Sequence, residues 1–270
     1  MQLTRYNQTD KQLHALCQII AKANRTFVPK KEDDSHTNLY YDSLAHRILG
    51  RWFELNNLRI LMTLNLESQC FEIVDDRQQV HTSVSFASKS SASIESELEQ
   101  ALKGLGIDTK SFQDAMHYHI PDYDFATNHG NSISQEALAE WGMIRSMAND
   151  AAHRFIGHVQ TKAEVRIWPH HFDTGIYTEV NNKLGIGFGL AMKDNMVGAP
   201  YFYVTGYPSD GKIDYEDLHT IGQGEWIVND DWKGAVLSLN HLNDRSDYET
   251  RNIINEYINE AVRYFLSVSE

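Results

Sequence analysis

Residues 166–173 read RIWPHHFD, which places two imidazoles and a carboxylate within four consecutive positions, directly after a β-branched run. Such a group suits acid/base or metal chemistry, because imidazole titrates near neutrality and a neighbouring carboxylate fixes its tautomer and raises its basicity. If strand alternation continues through the segment, residues two apart share a face. His171 then pairs with Asp173, while His170 shares the other face with Trp168 and Phe172. On that reading His171 and Asp173 are the candidate catalytic residues, the histidine as general base or ligand and the aspartate orienting it. The plainer alternative is a buried His and Asp that cap backbone groups after Pro169.

A catalytic metal site takes about three protein ligands, usually neutral histidine and carboxylate. The stretch DDSH at 33–36 offers Asp34 and His36, and HYH at 117–119 places His117 and His119 on one face if it is a strand. The expected metal set is His171, Asp173 and His36, around a divalent cation. Against it stands the abundance of imidazole: in a chain with 13 histidines, solvent-exposed rings explain His117 and His119 as well. Neither Cys17, on a helical stripe, nor Cys70, at a strand start, has surroundings that would activate a thiol, and no G-x-S-x-G is present.

The glycines of LGIGFGL do not make a dinucleotide fingerprint, since they alternate with Leu184, Ile186, Phe188 and Leu190 as a strand with one smooth face. A ligand, an aromatic ring or a crossing helix can approach such a face closely. The next run, PYFYV, puts Tyr201 and Tyr203 on one side, where they line a pocket or cover the sheet. His36, Asn38, His170, Tyr201 and Tyr203 are the candidate ligand contacts. Asn149 and Asp150 are polar positions on a helix beside its apolar stripe.

The elements that must position these groups follow from periodicity. Leu13, Leu16, Cys17 and Ile20 predict a helix over 10–23 with Asp10 as N-cap. Short alternating runs from Thr37 to Ala87 predict an antiparallel meander, and Ile94, Leu98, Leu102 and Leu105 a helix ending near Gly104 or Gly106. A helix opens at Ser132 and Gln135, a second strand series runs from Ala163 to Leu239, and a last helix opens at Ser246 and Glu249, both openings at capping-box spacing. The fold class is α+β, antiparallel sheet with flanking helices. Its halves are 1–110 and 132–270, joined by a bridge at 111–131 and packed as one compact unit. An offset of 135 residues relates His36 to His171, Asn38 to Asp173 and Leu49-Gly50 to Leu184-Gly185, which suggests internal duplication.

With 24 basic against 37 acidic residues the net charge is −13, a balance that repels phosphate backbones and anionic lipid. Nucleic acid and membrane are therefore excluded as expected partners, and a small molecule is the expected ligand. The N-terminus lacks the layout of a signal peptide, so the cytoplasm is the expected location. The segments DDSHTNLYYD, WPHHFD, GIGFGLAMKD, PYFYV and WKGAVL occur in that order from residue 33 to residue 237. Through them the chain resembles a family of uncharacterised bacterial proteins carrying W-P-H-H-F-D, G-x-G-L/F, P-Y-x-Y-V and W-x-G-A-V motifs. That resemblance implies no reaction. Two function classes stand open: a small-molecule hydrolase, metal-assisted, built on His171 and Asp173, and a non-catalytic ligand-binding or interaction protein with a His/Asp/Tyr pocket.

Overall fold

The computed structural model describes residues 2–55, 58–123 and 133–267. It contains helices and two antiparallel sheets, as the α+β reading expects. The chain divides into two compact units. The first comprises Thr4–Arg145 and Arg166–Phe172, and the second Met1–Leu3, Ser146–Val165 and Asp173–Glu270. No helix among the described residues is long and apolar enough to cross a membrane.

In the first unit α1 (Leu3–Phe27) precedes β1 (Tyr40–Asp42), β2 (Arg47–Leu49), β3 (Phe53–Leu55), β4 (Leu58–Asn65), β5 (Cys70–Asp75) and β6 (Val80–Ser85), with α2 (Ser91–Gly104) after them. The strand order is β1-β2-β4-β5-β6, with β3 also on β4, so neighbours in sequence are neighbours in the sheet. The register sets Tyr41, Ile48, Leu64, Phe71 and Val84 opposite one another across five strands, one buried apolar row. A one-residue slip in any strand would carry its member of that row to the other face, which is what fixes the register.

The helix predicted over 10–23 is longer at both ends. Asp10 is therefore no N-cap: it lies within α1, buried, with its Oδ1 accepting from Trp141 Nε1 at 2.7 Å and Arg145 Nη2 at 2.6 Å. Both partners come from the first turns of α3 (Gln135–Val159). The expected cap Ser132 lies outside the described residues; Ser134 Oγ accepts from the Ala137 N–H at 3.2 Å. The bridge at 111–131 falls partly outside them as well.

In the second unit the rest of α3 is followed by β8 (Thr174–Asn181), β9 (Leu184–Ala191), β10 (Tyr201–Pro208), β11 (Glu225–Val228), β12 (Lys233–Ser238) and α4 (Asp247–Ser267), in the sheet order β11-β12-β10-β9-β8. Strand β11 runs through EWIV. Ile176, Phe188, Val204, Ala235 and Trp226 form the cross-strand row here. Phe155 of α3 stacks on Phe188 with centroids 5.0 Å apart, and Phe188 on Phe202 at 5.8 Å. Tyr257 of α4 donates its hydroxyl to the Ala235 carbonyl at 2.7 Å. The Ser246 and Glu249 capping box forms as expected, Ser246 N–H to Glu249 Oε2 at 2.9 Å and Glu249 N–H to Ser246 Oγ at 3.3 Å. The two units share the order helix, strands, helix.

Candidate functional site

The segment WPHHFD is not a strand. Strand β7 (Arg166–Ile167) stops after two residues, where Ile167 and Leu39 exchange N–H···O bonds of 2.7 and 2.9 Å. Pro169 to His171 then form a turn, closed by the Phe172 N–H on the Trp168 carbonyl at 2.6 Å. Phe172 adopts φ 57, a left-handed conformation that costs a bulky residue of order 1–3 kcal/mol. The packing of its ring offsets that cost. Phe172 is fully buried, stacked on His14 at 5.1 Å and on Trp141 at 6.2 Å, with the Arg145 guanidinium 4.9 Å from its centroid.

The turn is also held through its backbone. The Pro169 carbonyl accepts from His14 Nε2 at 2.9 Å and Gln18 Nε2 at 2.7 Å, both one face of α1. A carbonyl can only accept, so His14 carries its proton on Nε2, and its Nδ1 accepts from the Tyr123 hydroxyl at 2.8 Å. Burial pushes the His14 pKa down to about 4, with the Pro169 carbonyl opposing and Arg145 adding to the shift. Gln18 completes the set by accepting from the Tyr118 hydroxyl at 2.9 Å.

So anchored, the turn ends in two histidines with different surroundings. His171 is exposed, its ring 4.3 Å from that of His170. His170 faces Tyr118 at 5.7 Å and forms one wall of a recess of about 210 Å³. Among the described residues, Asp33, Asp34, Thr37, Asn38, His117, Tyr118 and Trp168 also line it, all within the first unit. The Leu39 to Ile167 bridge is what sets the DDSHTN segment beside WPHH.

Asp34, which also borders the recess, adopts φ 54 ahead of a short 3-10 turn, Ser35–Thr37. His117 Nε2 lies 3.0 Å from Asp34 Oδ2, both half-exposed. His117 and His119 stand in a bend rather than on a strand face, and only His117 reaches the recess. Ser35 holds the Asp33 carboxyl below the usual carboxylate range, its backbone N–H donating to Asp33 Oδ1 at 3.1 Å, and Arg166 and Lys31 act in the same direction. His36 is buried, its Nδ1 accepting from the Lys31 N–H at 3.3 Å; burial lowers its pKa, with Asp34 opposing.

Among the residues named at the recess, Asn38 has a buried side-chain atom without a hydrogen-bond partner. Its backbone is fixed: the carbonyl accepts from Asn24 Nδ2 and Arg51 Nε, each at 3.1 Å. Its side chain is 2% exposed and borders the recess, yet Nδ2 is buried without a hydrogen-bond partner. A buried amide donor left unpaired costs roughly 1–3 kcal/mol.

The remaining sequence candidates belong to the second unit, where each is engaged. Asp173 Oδ2 accepts from the Tyr203 hydroxyl at 2.5 Å, and Asp194 Oδ2 from the Tyr201 hydroxyl at 2.7 Å. Burial raises both tyrosine pKa values, and the carboxylates add to it. The smooth face of β9 is covered by rings. Tyr177 lies over Gly185, Tyr207 over Gly187, and Tyr203 over Gly189, where an added Cβ would come within 2.8 Å of the hydroxyl. Of the three things such a face can admit, aromatic side chains of the same sheet occupy it.

His171 and Asp173 therefore do not share the strand face that would have made them a pair: one ends a turn, and the other is bonded to Tyr203. His36, His171 and Asp173 form no ligand set, and among the described residues no group of three His, Cys, Asp or Glu side chains is placed to hold a metal ion. Of the expected ligand contacts, His170 and Asn38 border the recess. Asp33, Thr37, Tyr118 and Trp168 join them, and only the strings DDSH, HYH and WPHH hinted at their positions. No protein-family model, curated protein or solved structure matches the chain.

Proposed function

We propose that the chain is a non-catalytic binding protein for a small molecule, received in the recess between the DDSHTN and WPHH segments. The observation that carries this is Asn38 Nδ2, a buried donor without a partner at the recess wall. Native structures satisfy such groups, and a ligand acceptor would satisfy this one. The two segments belong to the motifs through which the chain resembles the uncharacterised bacterial family, and on this reading those motifs serve binding. A volume of about 210 Å³ lies below the roughly 300–1,000 Å³ of sites for drug-sized ligands, which points to a metabolite-sized group. The hydrolase reading has no comparable support, since its base and its orienting carboxylate rest on an alternation the turn interrupts.

The test is a ligand-observed NMR screen of pooled cationic, neutral and anionic metabolites at near-neutral pH, on the wild type and on His170→Ala and Trp168→Ala. At least one compound should bind the wild type and lose that binding in both variants at unchanged melting temperature. If no compound responds to either substitution, the reading is wrong. Stoichiometric metal in protein purified without chelators, lost in His171→Ala, would restore the hydrolase reading.

A further inference from the structure

Resting on that binding reading, we infer the class of ligand: a small organic ammonium ion with a hydrogen-bond-accepting oxygen three bonds from the charged nitrogen, as in an α-amino amide. Two independent features of the recess converge on it. The first is charge and ring character. Among the described residues its walls include Asp33 and Asp34, no lysine or arginine, and the aromatic residues Tyr118, Trp168 and His170. Carboxylates beside aromatic faces favour an organic cation, by ion pairing at one end and by the ring quadrupole at the other. Asp34 has His117 as its partner, an imidazole that is charged only when protonated, so an ammonium ion can take its place. Asp33 is kept ionised by Ser35, with Arg166 and Lys31 beyond.

The second feature is the Asn38 amide. It offers a donor, buried and without a partner, and a bare ammonium ion has no acceptor to give it. The ligand must therefore carry an oxygen as well as a cation. An anion would satisfy Asn38 but would face two carboxylates, and a neutral amide would bring them no charge to pair with. The free amine of a metabolite and the N-terminal residue of a peptide share this chemistry.

Glycinamide has both groups, propylammonium only the cation, propionamide only the amide. In chemical-shift titrations of the full chain at pH 7, glycinamide should bind about ten-fold or more tightly than either of the others, the margin expected of one added charge-assisted or buried hydrogen bond. Asn38→Ala should bring glycinamide to the level of propylammonium and leave propylammonium unchanged. Asp34→Asn, at a half-exposed position where folding is not at stake, should weaken both ammonium ligands about ten-fold and leave propionamide unchanged. Triglycinamide distinguishes the sources: binding equal to glycinamide supports a chain N-terminus, and its exclusion supports a free metabolite. Propionamide or acetate binding as tightly as glycinamide, or glycinamide binding that ignores both variants, overturns the ammonium inference. If a neutral or anionic compound binds and is lost in His170→Ala, the binding reading stands and the ligand class falls. If no probe and no screened metabolite responds to any recess variant, both fall.

Discussion

Every buried aspartate, glutamate and arginine among the described residues lies in the first unit: Asp10, Glu72, Asp75, Glu140 and Arg145. In the second unit the buried polar side chains are Asn149 and three threonines, and the interior is a stack of Phe155, Phe188 and Phe202 under Tyr257. Both units bury helices against antiparallel strands, so the contrast is not required by architecture. Placing charge in a core costs several kcal/mol per ion unless it is paired and hydrogen-bonded, and an apolar replacement is often no less stable. What the charges provide in the first unit is position. Asp10 and Arg145 fix Trp141, Trp141 and Arg145 pack Phe172, and His14 and Gln18 hold the Pro169 carbonyl. The turn so held presents His170 to the recess. In the second unit the carboxylates of Asp173 and Asp194 accept from the hydroxyls of Tyr203 and Tyr201.

The comparison is broken most directly at the ion pair. Arg145→Leu leaves Asp10 buried and uncompensated, and should lower unfolding free energy by about 3–5 kcal/mol in urea titration. The double variant Asp10→Leu, Arg145→Leu should recover most of that loss; if it does not, the pair is worth more than position. Next in size is the acid response of the first unit. His14 has a folded pKa of about 4 against 6.5 in the unfolded chain, so the unfolded state binds more protons between those values. Its contribution is fully present above pH 6.5 and lost as pH falls toward 4, up to about 3 kcal/mol. His14→Gln should flatten the stability profile over that window, while a profile as steep as the wild type's would move the cause elsewhere.

Smaller effects sharpen the second unit. A Cβ at Gly175 would meet the Phe188 carbonyl and the Gly189 backbone, which cannot swing aside, so Gly175→Ala should cost about 1–3 kcal/mol. Tyr203→Phe removes the hydroxyl from Asp173 and should cost about 1–2 kcal/mol, with no effect on ligand binding in the recess. Gly185→Ala meets only the half-exposed Tyr177 ring, which can move, and should shift the urea midpoint by no more than about 0.5 kcal/mol equivalent. If Gly185→Ala proves as costly as Gly175→Ala, the rings on β9 are fixed parts of the core rather than a cover.

Much of the fold was legible because period and composition act locally. The stripe Leu13, Leu16, Cys17 and Ile20 is the buried face of α1, the alternation in LGIGFGL is β9, and the Ser246 and Glu249 box caps α4. The site was legible only as a set of strings. His170 and Asn38 stand where a ligand could touch them, but the pairing of His171 with Asp173 assumed a strand, and the turn after Ile167 leaves His171 exposed while Asp173 is bonded to Tyr203. Asp10 read as a cap because its type favours helix starts. Nothing local marks it as the partner of a residue far along the chain.

By itself the sequence determined the class α+β, the meander and the identity of the residues with chemistry to offer, since hydrophobic period, turn residues and charge balance are properties of neighbours in the chain. Tertiary structure alone decided which of them are spent and which are left. His14 and Gln18 are committed to a carbonyl in the Pro169 turn, Tyr203 to Asp173, and Asn38, which borders a recess, is left with a buried donor without a partner. Hydrogen-bond satisfaction is settled by groups far apart in sequence, and no periodicity encodes it.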